Sequence, residues 1–459
     1  MSFDPTRAAI RFGNGLSPTV TPPVSVADMM ARVTGPDVAA AAHPIPHFDD
    51  MYPTQWDFRL AGGAVADAQT DAEREAAEEA RREMRAAAGD LWALNTMRQL
   101  ARDVTTEDGF RERLVRFWAD HFTAPPTNGQ WRYQVYPTIE QRIRPYIAGP
   151  FRDMLRAAVT NPMLIQFLSQ SGSMGPNSPF GVRRGRGLNE NMAREVLELH
   201  TLGVGGRYTQ DDVRQFAELL TGLTYSARRG FQYDARRAEP GAETVLGRSY
   251  GGGEATLDQV LAALDDLALH PDTAHHLARK LAVHFIAPDP DPDLVGAMAA
   301  AYLAEGGQLA ALYQAMLQHE AAWATPARRV KRPYGFVAAS LRALAVPPDE
   351  LTGYSYGDVA RGVFRPLTAM GQTIHQPPGP DGWPEEDEAW ITPQGMAGRI
   401  TWAMQMPERL LDRLPDPRDF VFTALGPTPP EAVLFAANAA ETVPDGIGLV
   451  LASSAFQRR

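Results

Sequence analysis

The residues best equipped for chemistry lie between Asn189 and His200, where Glu190, Glu195 and Glu198 accompany Asn191, Arg194 and His200. The segment follows a Gly/Ser/Arg-rich stretch and ends at Gly203. It therefore predicts a helix of about four turns, with Asn189 as N-cap and Gly203 just past its end. At helical spacing Asn191, Glu195 and Glu198 share one stripe, with Arg194 on its flank. Met192, Val196 and Leu199 form the neighbouring stripe, about 100° round, which must face a core. In a polar pocket walled by this helix, Glu195 would be the general base and Arg194 the anion clamp. His121 would be a facing acid–base group, and Asn189 and Asn191 would bind the ligand.

Carboxylates and imidazoles are also ligands for divalent transition metals, which makes Glu195, Glu198 and His121 the metal candidates. The spacing argues against a helix-borne di-metal site. Such helices carry Glu-x-x-His, whereas here Glu195-x-x-Glu198 is followed by His200, about 200° round the helix from Glu198. An ion-pair network competes with both readings: Arg194 can reach Glu190 and Glu198 at i−4 and i+4, and Glu195 can meet an arginine from another element. His121 shares an apolar stripe with Leu114, Phe117, Trp118 and Phe122, where a core histidine bonded to a main-chain carbonyl is the default.

Outside this helix, Arg183, Arg184 and Arg186 sit in the irregular run Ser171–Gly187, which has the mobility and charge of an anion-binding lid. His276, Lys280 and His284 recur every four residues as a basic stripe. Gln376–Pro384, rich in Pro and Gly, predicts a rigid strap over the core. No G-x-x-x-x-G-K-[ST], no G-x-G-x-x-G after a strand and no G-x-S-x-G occurs, so the motif-defined nucleotide sites and serine hydrolases lack support.

These groups must be positioned by a mostly α-helical frame. Helical periodicity recurs over most of the 459 residues, and strand-like material is confined to a small hairpin insertion near 224–250. Ser25 predicts a cap for a short helix within a Pro-rich arm at 1–55. One helical stretch is expected from about Ala64 to Arg102, followed by a helix capped by Thr105 or Thr106, and Thr209 with Asp212 predicts a capping box. Residues 56–459 are expected to form one large helical domain, with core motifs at 105–345 and C-terminal helices with the strap at 346–459.

The net charge of −11 and pI near 5.5 argue against a general nucleic-acid binder. The absence of cysteine excludes disulfides and thiolate chemistry. No stretch approaches the roughly 20 apolar residues of a membrane span. Without a signal-peptide pattern at the N-terminus, the expected location is cytoplasmic.

Several segments, in order, resemble the bacterial domain of unknown function 1800 family. They are Phe117–Phe122, Leu188–Val204, Tyr208–Val213, Leu220–Gly222, His270–Ala274, Ala278–Leu281, Lys331–Pro333 and Gln376–Pro384 with Trp390-Ile391. The likeness spans about residues 7–410. The resemblance implies a predominantly helical protein of no established activity. It also implies frequent export, which points to the periplasm, and a sulfatase-like protein partner encoded nearby. Two functions remain open: an enzyme with a polar, metal-dependent or metal-free pocket on the 189–202 helix, or a non-catalytic helical binding or assembly subunit.

Overall fold

Helices begin where a side chain supplies the acceptor that the first backbone amides lack. Ser25 accepts from Asp28 N ahead of Val26–Thr34, and Thr209 and Asp212 form a reciprocal box ahead of Gln210–Leu219. The helical stretch expected from Ala64 to Arg102 is two helices, Gln55–Asp67 and Asp71–Thr105, each opened by its own capping box at Thr54/Asp57 and Thr70/Glu73. Because Thr105 still belongs to the second of these, the Gly109–His121 helix is capped by Asp108, not by Thr105 or Thr106.

The computed structural model describes residues 3–185, 187–325 and 329–459. It is mostly α-helical. The β material expected near 224–250 is present as two separate antiparallel hairpins, Leu223–Ser226 with Gly230–Tyr233 and Ala242–Val245 with Arg248–Gly251.

Buried apolar side chains gather into two large clusters. The first is built around Phe12, Trp118, Phe151, Phe216, Phe285 and Tyr313, and the second around Leu100, Phe336, Leu367, Trp402, Phe420 and Leu451. The N-terminal arm is part of the first, contributing Ala8, Phe12, Met29 and Val33. Gly109–His121 is the helix that joins them. Its apolar side enters the first cluster, while Arg116 and Asp120 bond Asp103 and Arg332 on the other side.

A buried ion network fixes this junction. Arg144 binds Glu112 at 2.7 Å and Glu140 at 2.9 Å, Arg102 binds Glu140 at 2.6 Å, and Gln99 donates to Glu112 at 2.8 Å. Burial by itself would raise the Glu112 carboxyl. The guanidinium of Arg144, with Arg102 and Gln99, instead holds it at about 2.

Candidate functional site

The helix expected over 189–202 is shorter than its sequence predicts. It runs from Asn191, as a single α turn followed by a π-helical stretch, Glu195–His200. Asn189 lies outside it. Its Oδ1 accepts from Asn191 N at 3.0 Å, while its Nδ2 donates to Leu168 O at 2.9 Å. The change of winding rotates the inner face. Met192, Val196, Leu197 and His200 are buried, whereas Leu199, expected in the core stripe, is only partly so.

The π stretch ends on carbonyls that its own backbone leaves unpaired, and histidines from two other helices satisfy them. His121 Nε2 meets His200 O at 3.2 Å, and His276 Nε2 meets Leu199 O at 3.0 Å. Since a carbonyl only accepts, both imidazoles donate from Nε2. Gly203, at φ +86°, leaves room for this closure; a Cβ there would lie 2.7 Å from His276 Nδ1. Burial, together with the nearby Lys280, pushes His121 and His200 down, His200 to about 3.

Arg194 does bind Glu190 at 2.9 Å and Glu198 at 3.5 Å. Glu195 forms no ion pair among the described residues, and its buried Oε2 has no hydrogen-bond partner. Burial, with the neighbouring carboxylates Glu198 and Asp381, pushes Glu195 up to about 7. Asn191 is exposed. Arg183 and Arg184 cover the ring of Phe180 together with Arg236 and Arg237; Arg186 lies outside the described residues. Glu195, Glu198 and His121 do not form a ligand set: among the described residues no three His, Asp or Glu side chains are arranged to hold a metal ion.

A cavity of about 190 Å³ lies elsewhere, between the two core clusters. No residue of the 188–203 segment lines it. Its walls come from the Gly109–His121 helix, the following turn, Val135–Ile143, and residues 331–335. The 372–383 strap, His284 and Arg459 complete it. Five lining side chains are cationic, Arg113, Arg116, Lys331, Arg332 and Arg459, and a single one, Asp120, is a carboxylate.

Two of the five cations are neutralised. Arg116 pairs with Asp103, and Arg332 binds Asp120 at 2.6 Å and Glu385 at 2.9 Å. Burial opposes ionisation of Glu385, but Arg332, His284 and Arg329 hold it at about 2. The remaining three cations form no ion pair among the described residues. Arg113 donates to Gly13 O at 3.2 Å and meets His284 Nε2 at 3.2 Å. Arg459 Nη1 approaches the same Nε2 at 3.5 Å. A guanidinium has no acceptor, so His284 accepts at Nε2 and donates from Nδ1 to Glu385 at 2.7 Å. Lys331 Nζ bonds Phe456 O and, at 3.0 Å, Arg458 O. Burial, with Arg399 nearby, lowers Lys331 to about 7, and burial lowers Arg459 to about 9.

The strap lies against one wall of the cleft. Trp383 N donates to Asp120 Oδ1 at 2.9 Å, and Trp383 O and Pro384 O accept from Arg332. Gly382, at φ +90°, is required by this approach, since a Cβ would lie 2.6 Å from Asp120 Oδ1. The basic stripe splits over two jobs. His276 closes the π stretch, His284 orders the cations of the cleft, and Lys280 stands between them, facing Asp120, Glu385 and Asp381.

Fold and site define a helical protein with an internal cleft whose buried cations outnumber its carboxylates. The chain belongs to the family described as protein of unknown function (DUF1800), whose match covers residues 15–458. No curated protein and no solved structure matches the chain.

Proposed function

We propose that this protein binds an anionic small molecule in the cleft between its two cores, with Arg113, Lys331 and Arg459 as anchors. One observation carries the reading: three buried basic side chains with no counter-charge among the described residues line one cavity of a chain whose net charge is −11. Taking an unpaired ion out of water costs several kcal/mol, and an anion bound among the three offsets that cost. Glu195 is an acid–base candidate: among the described residues it forms no ion pair, and burial with the nearby carboxylates pushes its carboxyl up to about 7.

The test is thermal unfolding with sulfate, phosphate and acetate at constant ionic strength. Saturable stabilisation is expected, about 2.7 kcal/mol at a hundredfold excess over Kd, and its loss in Arg113→Met. Equal effects from chloride, or none from any anion, would overturn the reading.

A second reading, assembly with a protein partner such as the sulfatase-like one, draws support from the C-terminal helices. Ile400, Phe422, Phe435, Val443 and Leu449 are exposed there, on Pro393–Gln405, Pro417–Leu425, Glu431–Ala439 and Val443–Ala452, which pack on one another. Contiguous apolar surface marks interaction sites, and these helices are where the chain offers exposed apolar side chains in number. Light scattering on purified protein separates a monomer from an assembly. Among the described residues no helix is long and apolar enough to cross a membrane.

A further inference from the structure

The cleft is not uniform along its length. On the Gly109–His121 helix, Arg113 and Arg116 lie nearer the start and Asp120 nearer the end, with Phe122 and Ala124 beyond. At 1.5 Å per residue the step from Arg113 to Asp120 is about 10 Å. What faces each end follows the same order. At the cationic end His284 Nε2 meets both Arg113 and Arg459. At the far end Val135 and Ala124 pack with Met163 in one apolar cluster. Phe122, Ile139, Ile143 and Ile374 add further lining there or between the ends, and none of them offers a polar side-chain atom. Inorganic sulfate or phosphate would use the cations and leave these walls idle.

We infer that the ligand of this cleft is an amphipathic organic carboxylate, its carboxylate held by Arg113 and Arg459 and its apolar body lying among Phe122, Ile139, Ile143, Met163 and Ile374. The inference rests on the anion-binding reading and names the chemical class of its ligand. A guanidinium presents donors in a planar fork that matches a carboxylate, which suits arginines rather than lysine to the head group. Size sets the body. An apolar cavity of about 150 Å³ accepts benzene, so the 190 Å³ here accommodates one aromatic ring, or a chain of about six to eight carbons, beside the head group. Tyr136 and His375, whose rings meet edge-to-face with centroids 4.3 Å apart, add aromatic surface to the lining.

Calorimetric titration of the full chain with acetate, butyrate, hexanoate, benzoate and hexanol tests this. Each methylene entering the apolar end should tighten binding about fourfold, or ~200-fold from acetate to hexanoate. Hexanol, lacking the charge, should bind far more weakly than hexanoate. Ile139→Trp, which fills the apolar lining from a partly buried position, should abolish the chain-length gain. A flat series with acetate still bound overturns the inference and leaves the anion site standing. Failure of every anion, inorganic ones included, overturns both. Hexanol binding as tightly as hexanoate overturns the assignment of the head group to the arginines.

Discussion

Replacing Glu195 by glutamine separates a structural carboxylate from one held out of its preferred state. Were Glu195 the counter-charge of a buried arginine, its removal would cost about 3–5 kcal/mol. Among the described residues it has no such arginine: Arg194 serves Glu190 and Glu198, and Glu195 faces Glu198 and Asp381. Its carboxyl is raised from 4.5 to about 7. The folded state therefore retains a proton that the unfolded chain releases. The resulting penalty is absent below the unfolded value, grows as pH rises through the 4.5–7 window, and is constant above it. At about 1.4 kcal/mol per pH unit the upper bound is ~3.5 kcal/mol. Solvent screening of a half-buried group reduces this to about 1–2 kcal/mol. Glu195→Gln, permanently neutral, should thus be more stable than the parent by about 1–2 kcal/mol at pH 8 and by a few tenths at pH 5. Urea unfolding at the two pH values measures both. Destabilisation at pH 8, or the same gain at both, would refute the argument.

Glu112→Gln should destabilise by about 3–5 kcal/mol in urea at pH 7, because Arg144 loses the carboxylate it grips at 2.7 Å; a loss under about 1 kcal/mol would contradict the network's role. The same carboxyl is held at about 2, below its ordinary 4.5. Its contribution is full above pH 4.5 and disappears as pH falls toward 2, so parent and variant should converge in acid. Gly382→Ala, strained at φ +90° and crowded against Asp120, should cost about 1–2 kcal/mol and weaken anion binding by shifting the strap; unchanged affinity would detach the strap from the site. Gly203→Ala should lower stability by a similar amount, read by urea unfolding, since its Cβ displaces His276 from the end of the π stretch; an unchanged midpoint would deny that closure.

Local rules were legible in the sequence wherever one side chain decides the outcome. Ser25 and Thr209 open helices where capping chemistry places them. The break at Ala68–Thr70 was not, because helix-forming runs flank it on both sides and only the two capping boxes mark it. The second hairpin was not separated from the first, because its last strand, Arg248–Gly251, has the composition Arg-Ser-Tyr-Gly, which carries no apolar alternation. The π stretch escaped because a 100° period was applied where the backbone bonds i to i+5, and this misplaced Leu199 and hid the burial of His200. Arg194's two pairs, being local, were visible. The cleft was not: Arg113, His284, Lys331 and Arg459 are brought together by folding alone, and each taken singly looks like ordinary surface charge. Lys331-Arg-Pro333 and the Asp120-His121 pair stood within the family motifs, but nothing in a single sequence joins them.

The central claim, an anion held by the unpaired cations of the cleft, is tested most directly by a crystal structure grown in selenate and measured at the selenium edge. An anomalous peak within hydrogen-bond reach of Arg113 and Arg459 is the predicted result. Peaks confined to surface arginines such as Arg183 and Arg236, with the cleft holding none, would contradict it.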